Sequence, residues 1–194
     1  MNFIQIGGHN ANDHVFEKVK DFDIELGVII EPLSWLNNQI RDCYKDKSNI
    51  FIENIAIMPD DRQNSVDFYH YDNDSNFEVS SVNKDHVVKV GLLDDNQIKT
   101  IKVPTSTLEN ILEKYSIKEL DWLFIDAEGL DIPILMSIDY SDYNIKNIIF
   151  EHYHAGGPNV SKGSAYDNAC SYLRAFGYSI KDYDSLNTLA TYDN

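Results

Sequence analysis

Five short runs in this chain place chemically useful side chains directly after stretches of apolar residues. Phe3 to Ile6 leads into Gly7-Gly8 and Leu26 to Ile30 into Glu31-Pro32, and the run from Ile50 carries Asn54 to Ile57 at its end. Trp122 to Ile125 leads into Asp126-Ala127-Glu128-Gly129, and Ile145 to Phe150 into Glu151-His152-Tyr153-His154. Glycines in such turns let a ligand approach the backbone closely. A carboxylate accepts two hydrogen bonds from vicinal hydroxyls, and an imidazole titrates near neutrality. Glu31 comes 24 residues after Gly7, near the offset of roughly 20 at which an acid meets ribose hydroxyls. The turn Gly7-Gly8-His9-Asn10-Ala11-Asn12 does not spell GxGxxG. A pyrophosphate is therefore disfavoured, and a nucleoside-bearing cofactor without phosphate fits better.

The runs read as strands of a parallel sheet: most are short and continuously apolar, as buried parallel strands are, and the one from Ile50 alternates. Between the first two, Asn12 or Asp13 is placed to cap a helix whose inner side carries Val15, Phe16 and Val19. Leu36, Ile40, Cys43 and Tyr44 mark a second helix, and Ile50 to Ile57 a third strand ending at Pro59. The Asp-, Asn- and Ser-rich segment 59–96 reads as an irregular insertion, part strand at Val66 to Tyr71 and part loop, with a solvated turn at Asp72-Asn73-Asp74. Gln97 to Val103 is a further strand, Ser106-Thr107-Leu108-Glu109 a capping box, and a helix starts at about Leu130. Ala165 to Phe176 is helical, and Tyr178 to Tyr192 a closing hairpin joined near Asp184-Ser185. The expectation is one α/β domain over 1–194: a mostly parallel sheet with helices on both faces and an antiparallel C-terminal hairpin. In such sheets ligands bind beyond the carboxyl ends of the strands, which is where the reactive residues fall.

Composition narrows the partners. The 194 residues carry 32 acids against 16 Lys and Arg, a formal charge of -16. That disfavours a nucleic-acid groove and an anionic membrane surface, since both need clustered cations. Cys43 and Cys170 have no metal-knuckle spacing. Neither a basic-flanked apolar leader nor a membrane-length apolar run is seen, so the chain reads as soluble and cytoplasmic.

Six pieces in this order resemble the FkbM-type methyltransferases: Phe3-Ile4-Gln5-Ile6-Gly7, Gly27-Val28-Ile29-Ile30-Glu31-Pro32, Phe51 to Ile57, Val103 to Leu108, Ile125-Asp126-Ala127-Glu128-Gly129 and Phe150-Glu151-His152. Gly177-Tyr178 and Leu186 to Ala190 add to the likeness, which spans nearly the whole chain. The resemblance implies the Rossmann-like class I methyltransferase fold and S-adenosyl-L-methionine as cofactor. It implies cofactor contacts at Gly7, Glu31, the turn from Asn54 to Ala56, and Asp126. Gln5, Gly8, Asn10, Asn12 and Pro32 complete the expected lining. The first loop departs from the family's usual Gly-Ala-Asn-Asp-Gly, and either Asn10 or Asn12 takes the family asparagine's place. The likeness also points weakly to Ser80 and Ser81 facing the cleft.

Transfer of a methyl group to a hydroxyl needs alignment and a base within hydrogen-bond reach. The candidates are Asp126, Glu128, His152 and His154, with Asp126 nearer the cofactor. If the last strand continues, His152 and His154 point one way and Glu151 the other. The expected activity is O-methylation of a glycan or small-metabolite hydroxyl by a metal-free enzyme, with a homo-oligomer as one route to a fuller acceptor site. Two alternatives stand beside it. The acids and both histidines gather a divalent ion, or the chain is a non-catalytic nucleotide-binding or interaction module.

Overall fold

The computed structural model describes residues 1–71, 79–91 and 94–193. The turn read at Asp72-Asn73-Asp74 lies outside them. Parallel strands β1 (Asn2–Ile6), β2 (Leu26–Ile30) and β3 (Ile50–Glu53) form one half of a seven-stranded sheet. Strands β7 (Glu119–Ile125) and β8 (Asn144–Glu151) continue it in parallel beyond β1, and the hairpin β9 (Tyr178–Asp182) and β10 (Asn187–Tyr192) closes it antiparallel. The order β3-β2-β1-β7-β8-β10-β9 reverses direction between β1 and β7. That switch point is where the two halves of a doubly wound sheet open a crevice. The expected Rossmann-like α/β class is what the chain adopts.

Helices cover both faces because each central strand is apolar on both sides. One face buries Ile4, Val28, Leu123 and Ile148 under α4 (Leu108–Lys114), α5 (Asp131–Leu135) and α6 (Ser164–Ala175). The other buries Phe3, Ile29, Phe124 and Ile149 with α1 (His14–Val19) and α2 (Asn37–Cys43). Asp13 caps α1 by accepting from the amides of Val15 and Phe16. The cap of α4 is Thr107, which accepts from Asn110 N–H, one residue later than the expected capping box.

The segment after β3 differs most from expectation. Ile50 to Ile57 is two strands rather than one: β3 ends at Glu53, and β4 (Ala56–Ile57) joins another sheet. That sheet, β4-β6-β5, pairs β5 (Ser65–Tyr71) antiparallel with β6 (Ile98–Ser106) and has its own core of Leu33, Leu36, Val66, Phe68 and Val103. The break falls at Asn54, whose side chain is engaged by Asn37 and by the Glu31 carbonyl. The same segment holds helix α3 (Lys84–Gly91), where the sequence reads as loop. Its buried His86 and Val87 pack inward. No helix among the described residues is long and apolar enough to cross a membrane.

Candidate active site

A cavity of about 290 Å³ opens at the carboxyl ends of β1, β2 and β7. Gln5, Gly7, Asn10, Asn12, Glu31, Pro32, Ala56, Asp126 and Glu128 all line it, as does Glu151 from β8. Gly8, Asn54, His152 and His154 do not.

Gly7 has φ +82°, and a Cβ there would collide with the Asp126 carbonyl oxygen, so the first turn and the end of β7 pack backbone to backbone. The amides of Gly7 and Gly8 are both spent on the Ile30 carbonyl, at 3.0 and 3.1 Å. They hold β1 to β2 instead of presenting themselves to a ligand, and Gly8 sits behind the cavity against Ile29. The turn continues through His9 and Ala11, both at positive φ, and is closed by Asn10 Oδ1 accepting Asn12 N–H at 2.9 Å.

Glu31 is 5% exposed. Its two carboxylate oxygens each accept one backbone N–H, from His9 and from Leu33, both at 2.8 Å. Burial raises its pKa to about 7 against the lowering by those amides. A carboxylate oxygen has a second lone pair, so two further donors can be accepted side by side. Asn54 serves this group from behind, donating to the Glu31 carbonyl at 2.8 Å. Gln5, 2% exposed, donates from Nε2 to Asp13 Oδ2 at 2.7 Å, which fixes its amide orientation. Its Oε1 is left buried without a partner at the cavity wall. A buried acceptor in that condition is costly until a donor arrives.

Beyond β7 and β8 lies a second group of titratable side chains. Asp131, 3% exposed, accepts from the amides of Ala127 and Gly129 at 2.9 and 3.1 Å and so shapes the loop carrying Glu128. Burial pushes its pKa up to about 6. Glu151 has Oε2 buried without a partner, and burial, then the charges of Asp126, Asp131 and Glu128, raise its pKa to about 10. His86 Nε2 lies 3.0 Å from Glu128 Oε2, and its ring meets that of His154 edge-on at 4.7 Å. The ligand atoms of His86, Glu128 and His154 lie within 4.8 Å of one another, as do those of Asp126, Asp131 and Glu151.

The expected common direction of His152 and His154 does not hold, because β8 ends at Glu151 and the chain turns. His154 swings toward Glu151, 3.9 Å from its Oε1. His152 goes to the opposite side, where Nδ1 bonds Thr188 Oγ1 at 2.9 Å and the ring packs on Tyr166. His86 and Asp131 were not among the sequence candidates. Asp131 carried a signal, an acid two residues after the turn glycine at a helix start. His86 carried a weaker one, the helix-capping Asn83 three residues before it. Ser80 lines the cavity, and Ser81 Oγ donates to the Glu128 carbonyl at 2.9 Å.

A seven-stranded sheet in this order, with its cavity at the β1/β7 switch point, defines the class I methyltransferase fold. The sequence profile of the methyltransferase FkbM domain matches residues 5–180, and the chain belongs to that family. The family's cofactor is S-adenosylmethionine. Among solved structures the chain is similar to an FkbM methyltransferase of Methylobacillus flagellatus, with 11% identity and a TM-score of 0.54. That alignment covers 98% of this chain and 43% of the other, so this chain spans less than half of its relative's length. It is also similar to an SAH-bound methyltransferase of Podospora anserina, with 12% identity, a TM-score of 0.52, and 100% and 72% of the two chains covered. No curated protein sequence matches the chain.

Proposed function

We propose that this protein transfers the methyl group of S-adenosylmethionine to a hydroxyl of a glycan or small metabolite. The observation that carries the reading is Glu31: a buried carboxylate lining the cavity at the end of β2, with one lone pair on each oxygen committed to backbone and a second on each left for a ligand. Vicinal ribose hydroxyls fit that demand, and a pyrophosphate does not. The orphaned Gln5 Oε1 supports the same occupant, since the cofactor brings an ammonium group able to donate to it. No Lys or Arg lines the cavity among the described residues, whereas Asp13, Glu31, Asp126, Glu128 and Glu151 do. A net-cationic cofactor and an acceptor without phosphate suit that field. The acidic side chains around β7 and β8 offer a base for a hydroxyl proton, which favours oxygen as the methylated atom. Phe68, Ser80, Val82 and Leu186 also line the cavity, so acceptor selection falls to the second sheet's segment and the β9–β10 hairpin.

Calorimetry with S-adenosylmethionine is the first test: saturable one-to-one binding is expected, lost in Glu31→Ala. The second incubates the protein and methyl-labelled cofactor with a cell extract and identifies the labelled product. An acid-stable methyl ether is the expected product. No binding at millimolar cofactor would overturn the reading, and binding without any labelled product would turn it toward the non-catalytic module.

A further inference from the structure

We infer that His86, supplied by α3 of the second sheet's segment, is a positioning residue that donates Nε2–H to Glu128 and makes Glu128, rather than a histidine, the base for the acceptor proton. This rests on the methyl-transfer reading above. Three separate restraints converge on the one carboxylate. Glu128 holds φ +48°, a left-handed conformation that is strained for a non-glycine residue. Ser81 Oγ grips its carbonyl at 2.9 Å, and Asp131 grips the amides on both sides of it at 2.9 and 3.1 Å. A Cβ on Gly129 would come within 3.0 Å of His86 Nδ1, so the glycine is what lets the ring reach the carboxylate. His86 is 2% exposed and arrives on helix α3, 42 residues earlier in the chain.

Proton positions separate the candidates. His154 Nδ1 accepts the Asn159 N–H at 3.0 Å, so its neutral ring carries the proton on Nε2, the nitrogen facing Glu151. That nitrogen has no lone pair to receive a proton or bind a metal. His152 does not line the cavity. His86 Nε2 faces a carboxylate and donates to it, and burial holds His86 below the ordinary imidazole range, in the neutral form. Glu128 lines the cavity, whereas none of these three histidines does. The rings of His86 from α3 and His154 from the loop after β8 face it, Glu151 from β8 is within electrostatic reach, and Asp126 from the end of β7 and Asp131 from α5 cluster with Glu151. Glu151 is held protonated and adds no charge of its own, but Asp126 and Asp131 crowd the same end of the sheet, and an N–H donated to the Glu128 carboxylate offsets their charge. In the transfer, the acceptor oxygen forms a bond to the methyl carbon as the sulfonium carbon–sulfur bond breaks, its electron pair staying on sulfur. The hydroxyl proton passes to Glu128 and then to solvent, leaving a methyl ether and S-adenosylhomocysteine.

The test tracks the titration of Glu128 by carbon-13 carboxyl NMR in the whole protein, wild type against His86→Leu and His86→Gln, without cofactor. In H86L the Glu128 titration is expected to rise by about one pH unit, and in H86Q, whose amide N–H replaces Nε2–H, to return to the wild-type position. The low-pH limb of methyl transfer to the extract acceptor moves with it, at unchanged cofactor affinity. Nitrogen-15 imidazole spectra of the wild type, which need no variant to fold, are expected to show His86 and His154 as neutral Nε2–H tautomers. An Nδ1–H tautomer at His86, an unshifted Glu128 in folded H86L, or one-to-one micromolar binding of Zn²⁺ through these rings each overturns the inference. If Glu128 titrates as expected but wild type transfers no methyl, the hydrogen-bond assignment stands and the methyl-transfer reading falls.

Discussion

Replacing Glu151 by Gln should make the unliganded protein more stable. Glu151 sits among Asp126, Asp131 and Glu128, its Oε2 buried without a partner, and its pKa is raised to about 10. The folded state therefore keeps the acid protonated at pH 7, whereas the unfolded chain releases that proton at its ordinary value of 4.5. A raised acid pKa means that the folded state binds more protons, so stability is complete below pH 4.5 and falls as pH rises toward 10. At pH 7 the accumulated loss is about 3 kcal/mol, from about 1.36 kcal/mol per pH unit. It is insensitive to how far above 7 the folded value lies. Glutamine has the shape of the protonated acid and needs no proton, and its amide N–H can donate to the neighbouring carboxylates. Urea unfolding of wild type and E151Q from pH 4 to 8 isolates this group from the rest of the acidic surface. The variants should coincide near pH 4 and separate to about 3 kcal/mol in favour of E151Q at pH 7. Equal stability at pH 7, or a less stable E151Q, would refute the reasoning, because Glu151 would then be a satisfied carboxylate. The gain is of the kind found where a site is kept strained for a ligand.

The remaining expectations concern the cofactor side and the turns that build it. Cofactor affinity should rise between pH 6 and 8 as Glu31 ionises through its burial-raised value of about 7, and calorimetry on Glu31→Gln should give a flat profile about 100-fold weaker at pH 8, the loss of two charge-assisted hydrogen bonds. Gly7→Ala should lower the melting temperature by about 6 to 12 °C, on the order of 3 kcal/mol, since its Cβ collides with the Asp126 carbonyl at φ +82°. Calorimetry on His152→Asn should show cofactor affinity within about twofold of wild type, because the Thr188 bond lies outside the cavity.

Much of this site is legible in the sequence because buried parallel strands are continuous apolar runs, and the residues just past the end of each run fall on one edge of the sheet. Gly7, Glu31, Asp126 and Glu151 can be located on that ground alone. Three things are not legible. The two-residue periodicity extrapolated past Glu151 pairs His152 with His154, but β8 stops there, and the turn sends the two rings to opposite sides. Ile50 to Ile57 alternates as one strand would, and only the tertiary engagement of Asn54 splits it between two sheets. His86 lies in a polar, acid-rich stretch with no apolar stripe long enough to announce α3, and its meaning depends on Gly129 and Glu128, 43 and 42 residues away. The glycines of the first turn stand where the sequence puts them, but for a different reason: they allow β1, β2 and β7 to meet, with their amides already spent.

A crystal structure of the protein with S-adenosylhomocysteine tests the central claim most directly. The account predicts both ribose hydroxyls on the Glu31 carboxylate, the ammonium group on Gln5 Oε1, and the sulfur facing the side of the cavity where Glu128 stands. A ribose bound away from Glu31, or a cavity still empty at millimolar ligand, would contradict it.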